Sequence, residues 1–243
     1  MDEREYGKMY ELESSHWWFR GGHEILLGFF KRLPAEDRRK ILDVGCGTGG
    51  LLARLGEYGS PYGIDFSPAA IGYCRKRGLT KLVRGTAEAM PFQDGTFDVI
   101  TAVDVFYHRN IRDDETVLRE LARTLKKGGR LFLREPALMF LYGPHDESMH
   151  GKTRYNAAEI RELLASCGLV IERLSYLNFL LFPLILVYRL FKKLSGIKSE
   201  SDVRRVNPVL NTVFYLVLKL EGWLLMRFDL PVGSSILCIA KKP

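Results

Sequence analysis

Asp43 stands two positions before a run of glycines, Gly45, Gly47, Gly49 and Gly50, and a second aspartate, Asp65, follows twenty positions after Gly45. Glycines spaced this way let the backbone approach a ligand that a Cβ would exclude, at the carboxyl end of a strand where open α/β sheets bind ligands. The loop fits two templates, GxGxxG through Gly45, Gly47 and Gly50 and GxGxG through Gly45, Gly47 and Gly49. Asp43 weighs between them: a carboxylate just before the glycines repels a pyrophosphate and suits a ligand carrying an ammonium group. Asp65 ends a second apolar run, where a carboxylate can accept both hydroxyls of a ribose. Three histidines are candidate bases: His108 after the apolar run 97–103, His150 ahead of Arg154 and Tyr155, and His16 beside Trp17 and Trp18. His108 ranks first and His150 second.

These residues need strands and helices to hold them. Ile25, Leu26, Phe29, Phe30 and Leu33 recur at helical spacing until Pro34. Residues 40–45 read as a strand entering the glycine turn, with Leu51, Leu52 and Leu55 opening a helix behind it. Strands are expected at 62–66, 82–83, 97–103, 130–134, 169–174 and 235–241. Ser67 and Pro68 supply an N-cap and a first-turn proline. A helix is expected over 113–127, acidic at its start, with Lys126 and Lys127 last and Gly128-Gly129 as its stop. Another spans 156–167. Strands alternating with helices predict an α/β fold with a doubly wound, mostly parallel seven-stranded sheet and a helical insertion before the last strand.

With 47% apolar and 27% charged residues among 243, the chain can bury a core that offsets its ordering entropy, which excludes a disordered protein. Cys46, Cys74, Cys167 and Cys238 have no paired spacing, and no His/Cys/Asp cluster has metal-ligand spacing. No metal is expected, and a reducing cytoplasm fits. The net charge is +7, and ten of 36 basic residues but only four of 29 acidic ones lie from Asn178 onward. That excess falls in the most apolar part of the chain, which suits anionic membrane or an acidic substrate better than a nucleic-acid groove.

The run from Gly85 to Arg109, with the glycine loop and Gly63–Pro68, resembles class I S-adenosylmethionine-dependent methyltransferases, in particular their small-molecule branch that includes quinone-ring enzymes. The resemblance covers roughly residues 36–175. It implies that Gly45, Cys46 and Gly47 face the methionine part of S-adenosyl-L-methionine and that Asp43 orients its amino group. It further implies that Asp65 holds the ribose with Phe66 beside it, that Ala87 and Glu88 flank the adenine, and that Asp104 lies under the methionine end. The segment HWWF, from His16 to Phe19, is similar to that of a bacterial and archaeal subgroup, with Trp18 covering the cofactor; its members often accompany lipid or surface-polysaccharide genes. That subgroup carries arginines where this chain has Gly22 and Thr153. Nucleic-acid enzymes of the fold carry Asn/Asp-Pro-Pro-aromatic or Pro-Cys near strand four, and neither occurs here.

The chain is accordingly expected to form one methyltransferase domain over 1–243. It divides into a cofactor-covering helical segment (1–35), a cofactor-binding core (36–177), an apolar basic insertion (178–230) and a final strand (231–243). Within the insertion, 179–188 and 208–228 are too short or too interrupted, by Asn211, Lys219 and Glu221, to span a bilayer of ~20 residues. On the second stretch Asn211, Tyr215, Lys219 and Gly222 make a polar stripe, leaving Val213, Phe214, Val217, Leu220, Leu224 and Phe228 for a core, a lipid tail or the headgroup boundary. Lys192, Lys193, Arg204 and Arg205 flank the stretches for peripheral contact with anionic membrane; packing on the sheet or a homodimer is the other use of such a face.

The expected function is methyl transfer to a small, hydrophobic or lipid-linked acceptor, with His108, His150 and Tyr155 as candidate catalytic residues and the cytoplasm or its membrane surface as location. The alternatives are a nicotinamide-dependent oxidoreductase and a noncatalytic membrane-associated cofactor-binding protein. Replacing Asp65 by Ala should weaken S-adenosylmethionine binding by ~1–3 kcal/mol in a calorimetric titration, the scale of hydrogen bonds to a charged group. Unchanged affinity in a folded variant would remove Asp65 from the site.

Overall fold

A computed structural model of the chain describes residues 3–34, 40–194 and 204–243. The expected first residues of the core, 36–39, and Lys198 of the insertion lie outside them. In chain order come helices α1 (Glu3–Leu12) and α2 (Trp17–Phe30), strand β1 (Lys40–Val44), α3 (Gly50–Leu55), β2 (Ser60–Asp65), α4 (Pro68–Lys76), β3 (Leu82–Arg84) and β4 (Phe97–Val103). Then follow α5 (Asp114–Thr124), β5 (Leu125–Pro136), α6 (Pro144–Ser148), α7 (Ala157–Ser166), β6 (Val170–Leu177), α8 (Phe182–Leu194), α9 (Pro208–Leu225) and β7 (Ser235–Lys241).

The strands form one sheet in the order β3-β2-β1-β4-β5-β7-β6, parallel throughout except for β7, which runs antiparallel to both its neighbours. This is the doubly wound, mostly parallel seven-stranded architecture expected. The period of two along each strand divides the core between two faces. Leu42, Ile100, Leu131 and Leu133 pack with α5 and α7, while Ile41, Val99 and Phe132 pack with α2 and α3. Phe30 of α2 stacks on Phe132 with ring centroids 4.4 Å apart.

Two expectations about elements change. The helix expected over 113–127 ends at Thr124, whose hydroxyl donates back to the carbonyls of Glu120 and Leu121. Leu125 then turns extended and pairs with Phe97, so Lys126 and Lys127 belong to β5. Leu125 kept the helical period by coincidence of phase. The amino-terminal segment holds two helices rather than one.

The orientation of α9, left open by its sequence, is set by α2. Three residues of its polar stripe face inward, Asn211 accepting from Trp17 N, Tyr215 donating to Glu24 and Gly222 lying against Ile25, while Lys219 is exposed. Glu221 is fully buried and accepts the backbone N–H groups of Asn178 and Leu180, fastening the chain as it leaves β6. The broad apolar face points outward, with Val213, Leu216, Leu220 and Trp223 each close to half exposed. Against the expectation that polar residues interrupt it too much to span, α9 is by length and composition apolar enough to cross a membrane, although one side of it is committed to α2.

Candidate active site

A cavity of about 510 Å³ opens at the carboxyl ends of β1, β2 and β4, as the topology of an open α/β sheet dictates. Gly45 and Gly47 adopt positive φ of 66° and 54° at its floor. A Cβ on Gly45 would lie 2.7 Å from Val105, and one on Gly47 would lie 2.7 Å from Met9 of α1. The loop is thus clamped between the turn after β4 and the amino-terminal helix. Glu13, just past α1, completes the clamp: its buried carboxylate accepts from Thr48 Oγ1 and from Arg77 Nη2 at 3.0 Å.

Asp43 is buried and accepts from Thr101 Oγ1 at 2.6 Å. Burial raises its carboxyl to about 7, assisted by the negative charges of Glu13 and Asp65. Asp65 accepts from Gly47 N at 3.0 Å and Ser67 N at 2.9 Å, which tie the end of β2 to the glycine loop. Burial also raises its pKa, against the pull of those two N–H groups. Trp18, Cys46, Phe66 and Ala87 line the same cavity. Cys46 Sγ lies 3.8 Å from Cys74 Sγ, and Phe66 is 47% exposed at the mouth.

Asp104 follows β4 with φ of 55° and forms an ion pair with Arg134 of β5. The turn that carries Asp104 and His108 is held from below by Glu135, a fully buried carboxylate that accepts from Val105 N, Phe106 N and Tyr107 N at 3.0, 2.9 and 3.1 Å. Burial and the Asp104 charge push the Glu135 pKa up. His108 lines the cavity and its buried Nδ1 has no hydrogen-bond partner. Burial lowers His108 to about 4, so the imidazole is neutral at pH 7.

The structure does not bring every expected residue to the cavity wall. Tyr155 is buried in the core, with its hydroxyl donating to Asp114 Oδ2 at 2.6 Å and set against Phe106 O at 3.1 Å. Burial raises its pKa. His150 sits behind the wall with φ of 57°, its carbonyl accepting from Arg109 N. Glu88 is turned away to accept from Arg112 N at 2.7 Å, bracing the loop before α5. At the wall stand residues that sequence reading passed over, Glu13, Arg134 and Asp146, the last paired with Arg154 at 2.8 Å, while Glu135, also passed over, is buried behind it. A signal existed for Glu135, since an acid inside an apolar strand is rarely buried without partners.

Residues 42–133 match the family model described as a methyltransferase domain. Over these residues the chain is similar to that domain. It is 37% identical over 123 residues to a demethylmenaquinone methyltransferase of Geobacillus sp. (strain WCH70), covering 46% of this chain and 52% of the relative. It is 38% identical over 108 residues to a ubiquinone/menaquinone biosynthesis C-methyltransferase of Cronobacter sakazakii (strain ATCC BAA-894), covering 40% and 42%. The chain thus spans about half the length of the curated relatives it matches. The fold of the whole chain resembles a S-adenosylmethionine-dependent methyltransferase of Thermotoga maritima, with TM-score 0.61, 19% identity, and 99% and 96% of the two chains covered. The cofactor of such enzymes is S-adenosylmethionine, and the site fits it in two respects. The left-handed glycine turn brings bare backbone to the cavity wall, and the carboxylates of Asp43 and Asp65 border the same space.

Because Glu135 alone satisfies three buried N–H groups, Glu135→Ala should cost several kcal/mol of stability, at ~1–3 kcal/mol for each donor left unsatisfied. Urea denaturation checks this. Glu135→Gln, which keeps one acceptor oxygen, should lose markedly less.

Proposed function

We propose that the chain transfers a methyl group from S-adenosylmethionine to a lipophilic, lipid-linked acceptor at a membrane surface, and that it belongs to the HWWF-containing branch. The observation that carries this reading is the continuity of the cavity with α8. Ile185, Tyr188 and Arg189 line the cavity, while Leu184, Val187 and Phe191 on the same helix are more than half exposed. An acceptor's head can therefore enter the cavity while its tail stays against apolar surface. The quinone-directed names of the relatives support an acceptor of that kind, and His16, Trp17, Trp18 and Phe19 at the cavity wall support the branch.

When bound, S-adenosylmethionine supplies a methyl whose bond to sulfur breaks, the electron pair staying on sulfur, as the acceptor's bond to carbon forms. Asp43 and Asp65 hold the amino and ribose groups, Phe66 and Ala87 flank the adenine, and α1 with α2 covers the site and keeps water out. The cavity walls keep the acceptor in line with the methyl, and positioning of this kind supplies several kcal/mol. His108, at the cavity wall, takes the acceptor's proton. The chain works as one domain, with residues 1–35 as the cofactor's cover and 178–230 on the acceptor side.

Four free cysteines, three of them buried, suit a reducing cytoplasm. The exposed apolar residues of α8 and α9, with Met139 and Phe140, support contact with the bilayer. Lys192 does not share in that contact, because it is buried with its ammonium 4.6 Å from the Tyr188 ring. Lys193, Arg204 and Arg205 are exposed.

The central test is methyl transfer from radiolabelled S-adenosylmethionine to a bacterial lipid extract; label confined to the aqueous phase counts against a lipid acceptor. Calorimetry should show binding of S-adenosylhomocysteine and none of NAD. His108→Ala should lower turnover by ~10²-fold or more with cofactor affinity nearly intact. The acid limb of the wild-type pH profile should fall near His108's value of about 4 rather than near 6.5. Each basic residue near anionic lipid contributes on the order of 1 kcal/mol, so Lys193, Arg204 and Arg205 changed together to Gln should greatly reduce sedimentation with anionic liposomes at low salt. Wild-type protein that stays in the supernatant would sink the membrane part of the reading.

A further inference from the structure

Arg134 leaves β5 beside Asp104 and reaches under α2. Its Nη2 donates to Asp104 Oδ2. Its Nη1 fills the space a side chain at position 22 would take, 2.6 Å from an ideal Cβ on Gly22. Its Nε is buried and has no hydrogen-bond partner. The residue is only 7% exposed and lines the cavity. A guanidinium is built to hold a carboxylate with two parallel N–H groups, and here a second carboxylate would complete an otherwise unused donor.

We propose that Arg134 anchors the carboxylate of the cofactor's amino-acid end, from β5, across the gap left by Gly22. The proposal rests on the methyltransferase reading. The amino-acid end of S-adenosylmethionine is a zwitterion, and the cavity wall offers both signs: Asp43 and Asp104 for the ammonium, Arg134 for the carboxylate. A zwitterion brings no net charge into a largely buried site, whereas a pyrophosphate would bring two negative charges beside Asp43, Asp65 and Asp104. Gly22 is therefore a partner of Arg134. A side chain there would push the guanidinium aside, and a helix otherwise disfavours glycine in its interior.

A carboxylate or phosphate on the acceptor has the same chemistry, so the test separates the two sources. S-adenosylhomocysteine and methylthioadenosine share the adenosine and the thioether, but only the first carries the amino-acid end. Arg134→Met should weaken S-adenosylhomocysteine by about 10- to 100-fold in calorimetry and leave methylthioadenosine nearly unchanged, as expected for the loss of a charge-assisted contact. Gly22→Ala should shift affinity the same way and add nothing in the Arg134→Met background. Urea denaturation of Gly22→Ala separates a loss of affinity from a weakened fold. Equal weakening of both ligands would make Arg134 a support for Asp104 and overturn the proposal. Unchanged binding of S-adenosylhomocysteine with a raised acceptor KM would assign the anion to the acceptor and overturn it as well. If wild-type protein binds no S-adenosylhomocysteine, the methyltransferase reading itself falls.

Discussion

The carboxylate of Glu135 sits in the sheet without exposure and gathers three consecutive backbone N–H groups from the turn after β4. Much of the site hangs from that arrangement. Val105, the first residue it holds, packs where a Cβ on Gly45 would be, so the turn sets how closely the glycine loop can approach. Asp104 and His108 flank the same three residues and receive their positions from them. A turn of this length would otherwise leave buried donors unsatisfied, at a cost comparable to the stability of a small domain's marginal elements.

The amino-terminal helices are joined to this core by chemistry as well as by packing. Met9 meets Gly47, Glu13 takes the hydroxyl of Thr48 and the guanidinium of Arg77, and Arg77 donates in turn to the carbonyls of Thr48 and Tyr10. The cover and the glycine loop are one unit. Anything that loosens α1 also loosens the floor of the cavity, which couples access to the site with its shape.

The segment between β6 and β7 solves a different problem. Glu221 is buried in order to cap the chain leaving β6, and Asn211 and Tyr215 bind α2, so most polar side chains of α9 are taken up by the fold. Val213, Leu216, Leu220 and Trp223 of α9 are left exposed, as are Leu184, Val187 and Phe191 of α8.

The order of strands and helices, the glycine turn and the placing of Asp43 and Asp65 at strand ends were legible in the sequence, because each rests on local periodicity and on spacing along a single strand-turn-helix unit. Gly45, Gly47 and the two aspartates needed no distant partner to be noticed. The end of α5 at Thr124 was not legible, since Leu125 satisfies both a helical and a sheet pattern and its pairing with Phe97 decided between them. Tyr155 was a site candidate by neighbourhood and Glu88 by the family resemblance, yet Asp114 and the Arg112 backbone claim their polar atoms from other elements. Arg134, Glu135 and Glu13 act through partners many residues away, and the inward side of α9 was set by α2. Local sequence determines which elements form and which backbone they can adopt; which side chains share a cavity is decided only when strands and helices meet, because burial and hydrogen-bond satisfaction are properties of the assembled chain.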